Sequence, residues 1–439
     1  MINQTSLKKK SECSSPISTT DKVIASLSKR HNKERRFKIF GLLSVLLGFF
    51  LVIALIGDIS YKAMPAFHQH WVKLQINYNQ QWLSFKRANN ESFSVSQLDA
   101  ANYRKVLKRS LYQMFPNVKG RKNKRKLNKM ISSNAEFTIK EFLLNAPEKI
   151  DKQVDVWVRL DDDVDSYLKE NIKLGMASSR IDQMQADWIQ SLAEKGFIEK
   201  KFNISFFTHS DSREPELAGV KGALTGTILT MLVTLVLSFP LGVAAALYLE
   251  EFAPKNRWTD IIEVNINNLA AVPSIIFGLL GLAVIINIFG LPRSAPLVGG
   301  IVLTLMTLPT IIIASRASIK AVPPSIREAA MGIGASKVQT TFSHVLPMAM
   351  PGIMTGAIIG LAQALGETAP LLMIGMVAFI VDVPASIADP STVLPVQIFL
   401  WADSPERAFL AKTSAAILVL LGFLLVMNLS AALLRKKFE

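Results

Sequence analysis

A single cysteine, Cys13, leaves this 439-residue chain without the means to close an internal disulfide. The five histidines, His31, His68, His70, His209 and His344, are scattered. His68 and His70 stand one residue apart with no further ligands at metal spacing, so no metal site is expected. No GxxxxGK[ST] phosphate loop occurs, which excludes ATP hydrolysis by this chain itself, and no catalytic constellation marks it as an enzyme. Charge is scarce at 19% of residues, and it is lopsided: 49 Lys and Arg against 34 Asp and Glu give +15. What is abundant is apolar surface. Half of the residues are hydrophobic and the mean hydropathy is +0.31, a balance that excludes an ordinary soluble domain and indicates a membrane protein.

Six stretches are long and apolar enough to cross a bilayer, which takes about 20 residues. They lie near 39–57, 222–249, 264–291, 295–315, 351–381 and 413–434. Pro240 in the second and Glu367 in the fifth are tolerable where neighbouring helices cover the backbone. A polar tail, residues 1–38, precedes the first stretch, and no small-residue cleavage site follows it, so it reads as a span and not a signal peptide. Basic residues flank alternate ends: KRHNKERRFK before the first span, Lys255 and Arg257 after the second, Arg316, Lys320, Arg327 and Lys337 after the fourth, and RKK near the end of the chain. The positive-inside rule therefore predicts both termini and the loop after the fourth span in the cytoplasm.

That topology predicts an extracytoplasmic domain over 58–221, between the first two spans. Helical spacing over 96–115 and 179–195, the latter with Ile181, Met184, Trp188 and Leu192 on one face, and an alternating strand over 153–160 predict an α+β domain. The run KGRKNKRKLNK reads as a solvated basic loop, the alternative being a patch that attracts anionic solutes or lipid headgroups; nucleic acid is not expected on that side. LDDDVD sets Asp161, Asp163 and Asp165 at alternate positions, but a calcium loop would need a glycine at the sixth place and a glutamate at the twelfth.

The loop after the fourth span has a grammar of its own. Ser325 with Glu328, and Ser336 with Gln339, have capping-box spacing, and Gly332 and Gly334 separate the two helices so begun. The plain reading is a connector; the functional one is a projecting hairpin whose Ala329 and Ala330 offer a slim face to a groove on a partner. Glu328, Ala329, Ala330 and Gly334, followed by Leu346 and Pro347, resemble the EAA loop of ABC-importer permeases, with His344 where isoleucine is usual. The resemblance implies that these residues form the helix that docks on a separate cytoplasmic ATPase.

AVPSIIFGLLG, from Ala271, and GETAPLLMIG, from Gly366, resemble the phosphate-specific members of that family, of PstA type. The resemblance covers about 217–436, half of the chain. It implies a polytopic α-helical membrane protein of about six transmembrane helices with a type I core of five, to which the first span and outer domain are additions. It also implies a second, PstC-like permease, a PstB-like ATPase dimer that uses ATP, a periplasmic phosphate-binding protein, and no cofactor on this chain. Glu367 is the carboxylate deepest in an apolar stretch, and it could accept a hydrogen bond from the proton of hydrogen phosphate, which sulfate lacks at neutral pH. Glu367 or Thr368 could equally cap a half-helix begun after Gly366, with Pro370 in its first turn. Family members often carry an arginine four residues before this glutamate, where this chain has Gln363. Ser274, beside the kink at Pro273, and Arg316 complete the expected pathway residues, with helix packing and interface anchoring as their plain readings. An importer for another oxyanion, such as sulfate or molybdate, is the nearest alternative; a sensor would need a cytoplasmic output domain, and a secondary transporter the inverted repeats that are absent here.

Overall fold

The structure, a computed structural model, describes residues 19–84, 98–169 and 180–437, so Cys13 and the expected helix starts at Ser96 and Ser179 lie outside the described residues. The chain divides into two compact units, Met1–Asp58 and Ile59–Glu439. In the first, one helix runs unbroken through the basic tail and the first apolar run: α1, Thr19–Ala63, ends a few residues inside the second unit. The expected boundary at residue 38 is therefore a change of side-chain chemistry and not of backbone. Leu42, Phe49 and Phe50 on this helix are exposed, as side chains that face lipid would be.

The second unit begins with an antiparallel sheet of three strands in the order β2-β1-β3: β1, His68–Asn77; β2, Gln153–Arg159; and β3, Ile198–Phe202. Their register runs from Trp71 opposite Arg159 to Asn77 opposite Gln153, and from His68 opposite Phe202 to Val72 opposite Ile198. β1 buries alternate residues, Val72, Leu74 and Ile76, beneath helices α2 (Tyr103–Met114), α3 (Arg121–Asn128) and α4 (Ala135–Asn145). A short α5 (Asp162–Leu168) follows β2, and α6 (Gln183–Glu194) opens on a capping box of Asp182 with Gln185. The basic run is thus a helix and not a loop, held down by the buried Leu127. On α6 the buried face is Ala186, Ile189 and Leu192, while Met184 is exposed.

The rest is helical: α7 (Lys221–Phe252), α8 (Arg257–Ala270), α9 (Ser274–Ile286), α10 (Pro296–Lys320), α11 (Pro324–Gly332), α12 (Lys337–Gly366), α13 (Ala369–Met373), α14 (Leu394–Ala402) and α15 (Ala408–Lys436). Among the described residues, five helices are long and apolar enough to cross a membrane, or six if α8 and α9 count as one span. Two of the expected spans need correction. The third is bent by 102° between α8 and α9, where Pro273 denies the residue before it a helical backbone. The fifth stops at Gly366, well short of residue 381, and leaves only the five-residue α13 beyond it.

Small residues let the long helices approach. A Cβ at Gly300 would stand 2.5 Å from Val233, and the Thr234 hydroxyl donates to the Gly300 carbonyl at 3.3 Å, which closes α10 onto α7. The sheet domain is sewn to the far end of this bundle. Ser132 donates to Glu216 at 2.7 Å, Trp401 Nε1 to Asp211 at 3.0 Å, Gln69 Nε2 to the Glu216 carbonyl at 3.1 Å, and the buried Lys412 to the Ala218 carbonyl. Phe206, Trp401 and Phe409 fill the same seam. Replacing Gly300 by leucine forces α7 and α10 apart; the purified variant should lose about 1–3 kcal/mol in denaturant unfolding, whereas Gly422→Leu, with open space around it, should not.

Candidate functional site

Two places gather the residues that the sequence singled out. The first is the knuckle between α10 and α12. α11 starts at Pro324, with Pro323 as N-cap and no side-chain cap, so the expected Ser325–Glu328 capping box does not form. A proline at N1 supplies the helical φ on its own, and Ser325 falls inside the first turn instead of before it. The second box does form: Ser336 Oγ accepts from the Gln339 N–H at 3.2 Å, and the Gln339 side chain accepts from the Ser336 N–H at 2.9 Å. Between the helices Gly334 has φ +94°, a conformation that costs a residue with a Cβ about 1–2 kcal/mol.

The slim alanine face also needs correction. Ala330 is buried against its own chain, while Ala329 is exposed. The surface the knuckle presents is larger and more apolar: Met331 is 48% exposed and Ile333 86%, beside a Glu328 that makes no side-chain hydrogen bond or ion pair among the described residues. Nothing in the spacing of EAAMGIG separates the alanine that is covered from the isoleucine that is not.

A set of ion pairs that the sequence gave no sign of holds the knuckle to the bundle. The last turn of α7, Tyr248–Phe252, is a π turn, and its consecutive carboxylates go to different partners. Glu251, 8% exposed, takes Arg327 of α11 at 2.8 Å, and the same guanidinium donates to the carbonyls of Val322 at 2.7 Å and Ile319 at 2.9 Å. Glu250 takes Arg316 of α10 at 2.7 Å, and Arg316 also pairs with Glu263 of α8 at 2.5 Å. Arg316 was expected along a substrate pathway or as an interface anchor. In the fold its guanidinium is paired with these two carboxylates.

The second place is the break after α12. Gly366 ends the helix, Glu367 is extended, and α13 begins with Pro370 in its first turn, as expected; neither Glu367 nor Thr368, however, caps it through a side chain. Across from α13 lies α9, begun in the same way by Pro273 and Ser274. A Cβ at Gly278 would stand 2.7 Å from Pro370 and 3.0 Å from Met373, and one at Gly281 would stand 3.0 Å from Ile374. Contact advances in the same direction along both segments, so the start of α9 and the start of α13 lie at one end. This brings Ser274 and the pair Glu367 and Thr368 to the same side, with Gln363 one turn below on α12. Their side chains make no hydrogen bond among the described residues, and Gln363 is exposed.

A third cluster lies at the seam. Asp165 is bound to His70 at 2.9 Å and to Lys169. Burial works against its charge, but these contacts outweigh it and hold the carboxyl below the usual range. Asp161, Asp162 and Asp163 are crowded instead. Burial, and then Asp162 and Glu216, push Asp161 up to about 8; burial and then Asp163 push Asp162 to about 6; burial lifts Glu216 to about 7.

Comparison with known proteins gives two family matches. Residues 24–178 match a domain of unknown function, DUF3333, and residues 238–439 match the binding-protein-dependent transport system inner membrane component. The chain is 33% identical to the phosphate transport system permease protein PstA 1 of Mycobacterium tuberculosis over 49% of this chain and 70% of that one. It is 29% identical to the probable ABC transporter permease protein YqgI of Bacillus subtilis, over 53% of this chain and 82% of that one. It is 30% identical to the permease protein PstA of Yersinia pestis, over 50% and 73%.

The ion pairs that hold the knuckle are testable without transport. Arg327→Ala strands Glu251 in a site only 8% exposed, and should cost about 3–5 kcal/mol in unfolding of the purified chain. The double variant with Glu251→Ala removes the stranded charge and should recover part of that loss.

Proposed function

Because the chain belongs to the inner-membrane permeases of binding-protein-dependent ABC importers, we propose that it carries inorganic phosphate across the cytoplasmic membrane, driven by a separate ATPase. The chain is a multi-pass membrane protein whose family works with an ATPase and a substrate-binding protein. On the finer reading, both termini and the knuckle face the cytoplasm. The companions are a second, PstC-like permease, a PstB-like ATPase dimer and a periplasmic phosphate-binding protein; ATP is consumed on the ATPase and this chain binds no cofactor.

One observation carries the phosphate reading: the GETAPLL stretch forms the break between α12 and α13, where the side chains of Glu367 and Thr368 make no hydrogen bond among the described residues, beside the start of α9. Backbone N–H groups left over at a helix start favour an anion. Glu367, as a carboxylate, accepts the one proton that distinguishes hydrogen phosphate from sulfate. Ser274 and Thr368 supply hydroxyls, and Gln363 an amide in place of the family's arginine. Similarity to PstA permeases supports the same reading.

Coupling follows from the knuckle. Ile333 and Met331 form an apolar tip that fits a groove on the ATPase, Glu328 offers a charge at its rim, and Gly334 sets the turn. Arg327 and Arg316 make the tip one rigid piece with α7, α8 and α10, so a push on it reaches the helices that line the path.

In vesicles holding the full importer, phosphate uptake should fall by about tenfold or more in Glu367→Gln, equivalent to about 1.4 kcal/mol, and fall less in Glu367→Asp, which keeps a carboxylate and offers no competing N–H donor. Equal and unimpaired uptake in both, or sulfate carried as well as phosphate, would remove the role given to Glu367. Ile333→Asp and Gly334→Val should abolish ATP-driven uptake while the chain still inserts in the membrane. Uptake that persists without the ATPase would overturn the coupling.

A further inference from the structure

One edge of the sheet domain is more apolar than a surface in water needs to be. Phe202, the last residue of β3, is 56% exposed and Ile204 64%, and Phe207, in the short helix Ser205–Thr208, is exposed as well. The aromatic rings form one patch. Phe207 stacks on Phe202 and on Phe67, with centroids 6.1 Å apart in each case, and stands edge-on to the buried Phe206 at 5.0 Å. Tyr61, in the last turn of α1, and Met64, just after it, are exposed too. Single apolar side chains on a surface need no explanation, but a contiguous set marks an interaction surface.

Hydrogen bonds set the depth of this edge against three long helices. The Val220 N–H donates to the Phe206 carbonyl at 2.8 Å and the Lys221 N–H to the His209 carbonyl at 3.0 Å, so Phe207 is seated beside the first turn of α7. The apolar run of α7 begins at Gly222, within about 3 Å of that point along the helix axis. Asn203 donates its N–H to the Phe67 carbonyl at 2.9 Å and its side-chain amide to the Ala66 carbonyl at 3.0 Å, which ties the same edge to the turn after α1. Lys412, at the start of α15, reaches the Ala218 carbonyl just before α7. One end of each of three long apolar helices therefore meets the edge. A polar headgroup layer of about 5–8 Å covers each face of a bilayer's hydrocarbon core, and at this depth Phe207 falls inside it.

We infer that this edge, Phe202, Ile204 and Phe207 with Tyr61 and Met64, is seated in the headgroup layer of the bilayer on the side where the sheet domain lies. Its occupant is lipid because the patch continues the exposed end of α1, and a tyrosine there has the amphipathic ring that suits a membrane–water interface. Lys200, two residues before Phe202 on β3, and Lys221, at the start of α7, are exposed cations at its margin, where headgroup phosphates lie. An apolar tip rimmed by cations is how a segment lies in a membrane surface without crossing it. The sheet domain is thus held twice, by the seam to the bundle and by this edge to the lipid. The anchor is independent of what the permease carries.

The full chain, with Cys13→Ser to remove its single native thiol, is given one cysteine by Ile204→Cys or Phe207→Cys, spin-labelled there and reconstituted in vesicles of phosphatidylcholine and phosphatidylglycerol. Collisions of the label with oxygen, which concentrates in the bilayer, are compared with collisions with a water-soluble nickel chelate. Glu148→Cys, beside the far end of the ten-residue β1, about 30 Å from its start, is the reference for water, and Leu425→Cys, exposed on α15, the reference for lipid. The oxygen-to-nickel ratio at 204 and 207 should stand several-fold above that at 148 and approach that at 425. A ratio equal to that at 148 overturns the proposal, because the edge then lies in water. Loss of collisions with both reagents overturns it equally, because protein, a second copy of this chain, then covers the edge. Both positions are exposed, so the labels should leave the melting temperature unchanged, and agreement between the two sites excludes a local distortion.

Discussion

Two consecutive glutamates at the end of α7 tie α8, α10 and α11 together. Glu250 holds α10 and, through Arg316, α8; Glu251 holds the knuckle through Arg327. In a regular α-helix, neighbours point about 100° apart, and the π turn at Tyr248–Phe252 loosens the winding where both carboxylates must reach a guanidinium. Pairs this poorly hydrated are weak evidence of stability, since desolvation offsets much of their attraction. Their value is positional. Arg327 spends its donors on one carboxylate and two carbonyls, so α11 is fixed to α7 and to the end of α10 instead of hanging on a loose loop.

This arrangement explains what could and could not be read from the sequence. The Ser336–Gln339 box and the glycine turn are local: each needs only four or five adjacent residues, and both were legible. The Ser325–Glu328 box has the same spacing and failed, because Pro324 had already fixed where the helix starts. Breaks at Pro273 and Gly366 were visible as residues, but hydropathy is blind to direction, so a helix pair bent by 102° and a span followed by a stub both looked like single spans. β1 hid because His68, Gln69 and His70 dilute an alternation that is otherwise plain from Val72 to Ile76. The pairs that matter most were beyond reach. Arg316 and Glu250 are 66 positions apart, and no local pattern joins them.

The inserted domain reads as an ornament on the family core, yet it is packed as part of it. A domain tethered through loops would share few contacts with its host and move freely. Here Trp401 and Phe409 of the bundle stack at 5.6 Å, and Phe206, from the segment after β3, packs against Trp401 in the same cluster. The chain of polar contacts from Ser132 through Glu216 and from Lys412 to Ala218 runs along one line of the seam. Motion of α15 or of the start of α7 must therefore carry the sheet domain with it or break buried hydrogen bonds.

The distribution of unsatisfied polar groups follows the length of the molecule. α7 spans 32 residues, about 48 Å at 1.5 Å per residue, with the seam at its start and the glutamate pair at its end. At that end the charges that hold the knuckle are matched within the chain, and Glu328, without an ion pair among the described residues, is exposed to water. Part-way along, at the helix breaks, Glu367 and Thr368 are only partly covered and make no hydrogen bond among the described residues. At the seam Glu216 is buried, and its charge faces those of Arg159 and the buried Lys412.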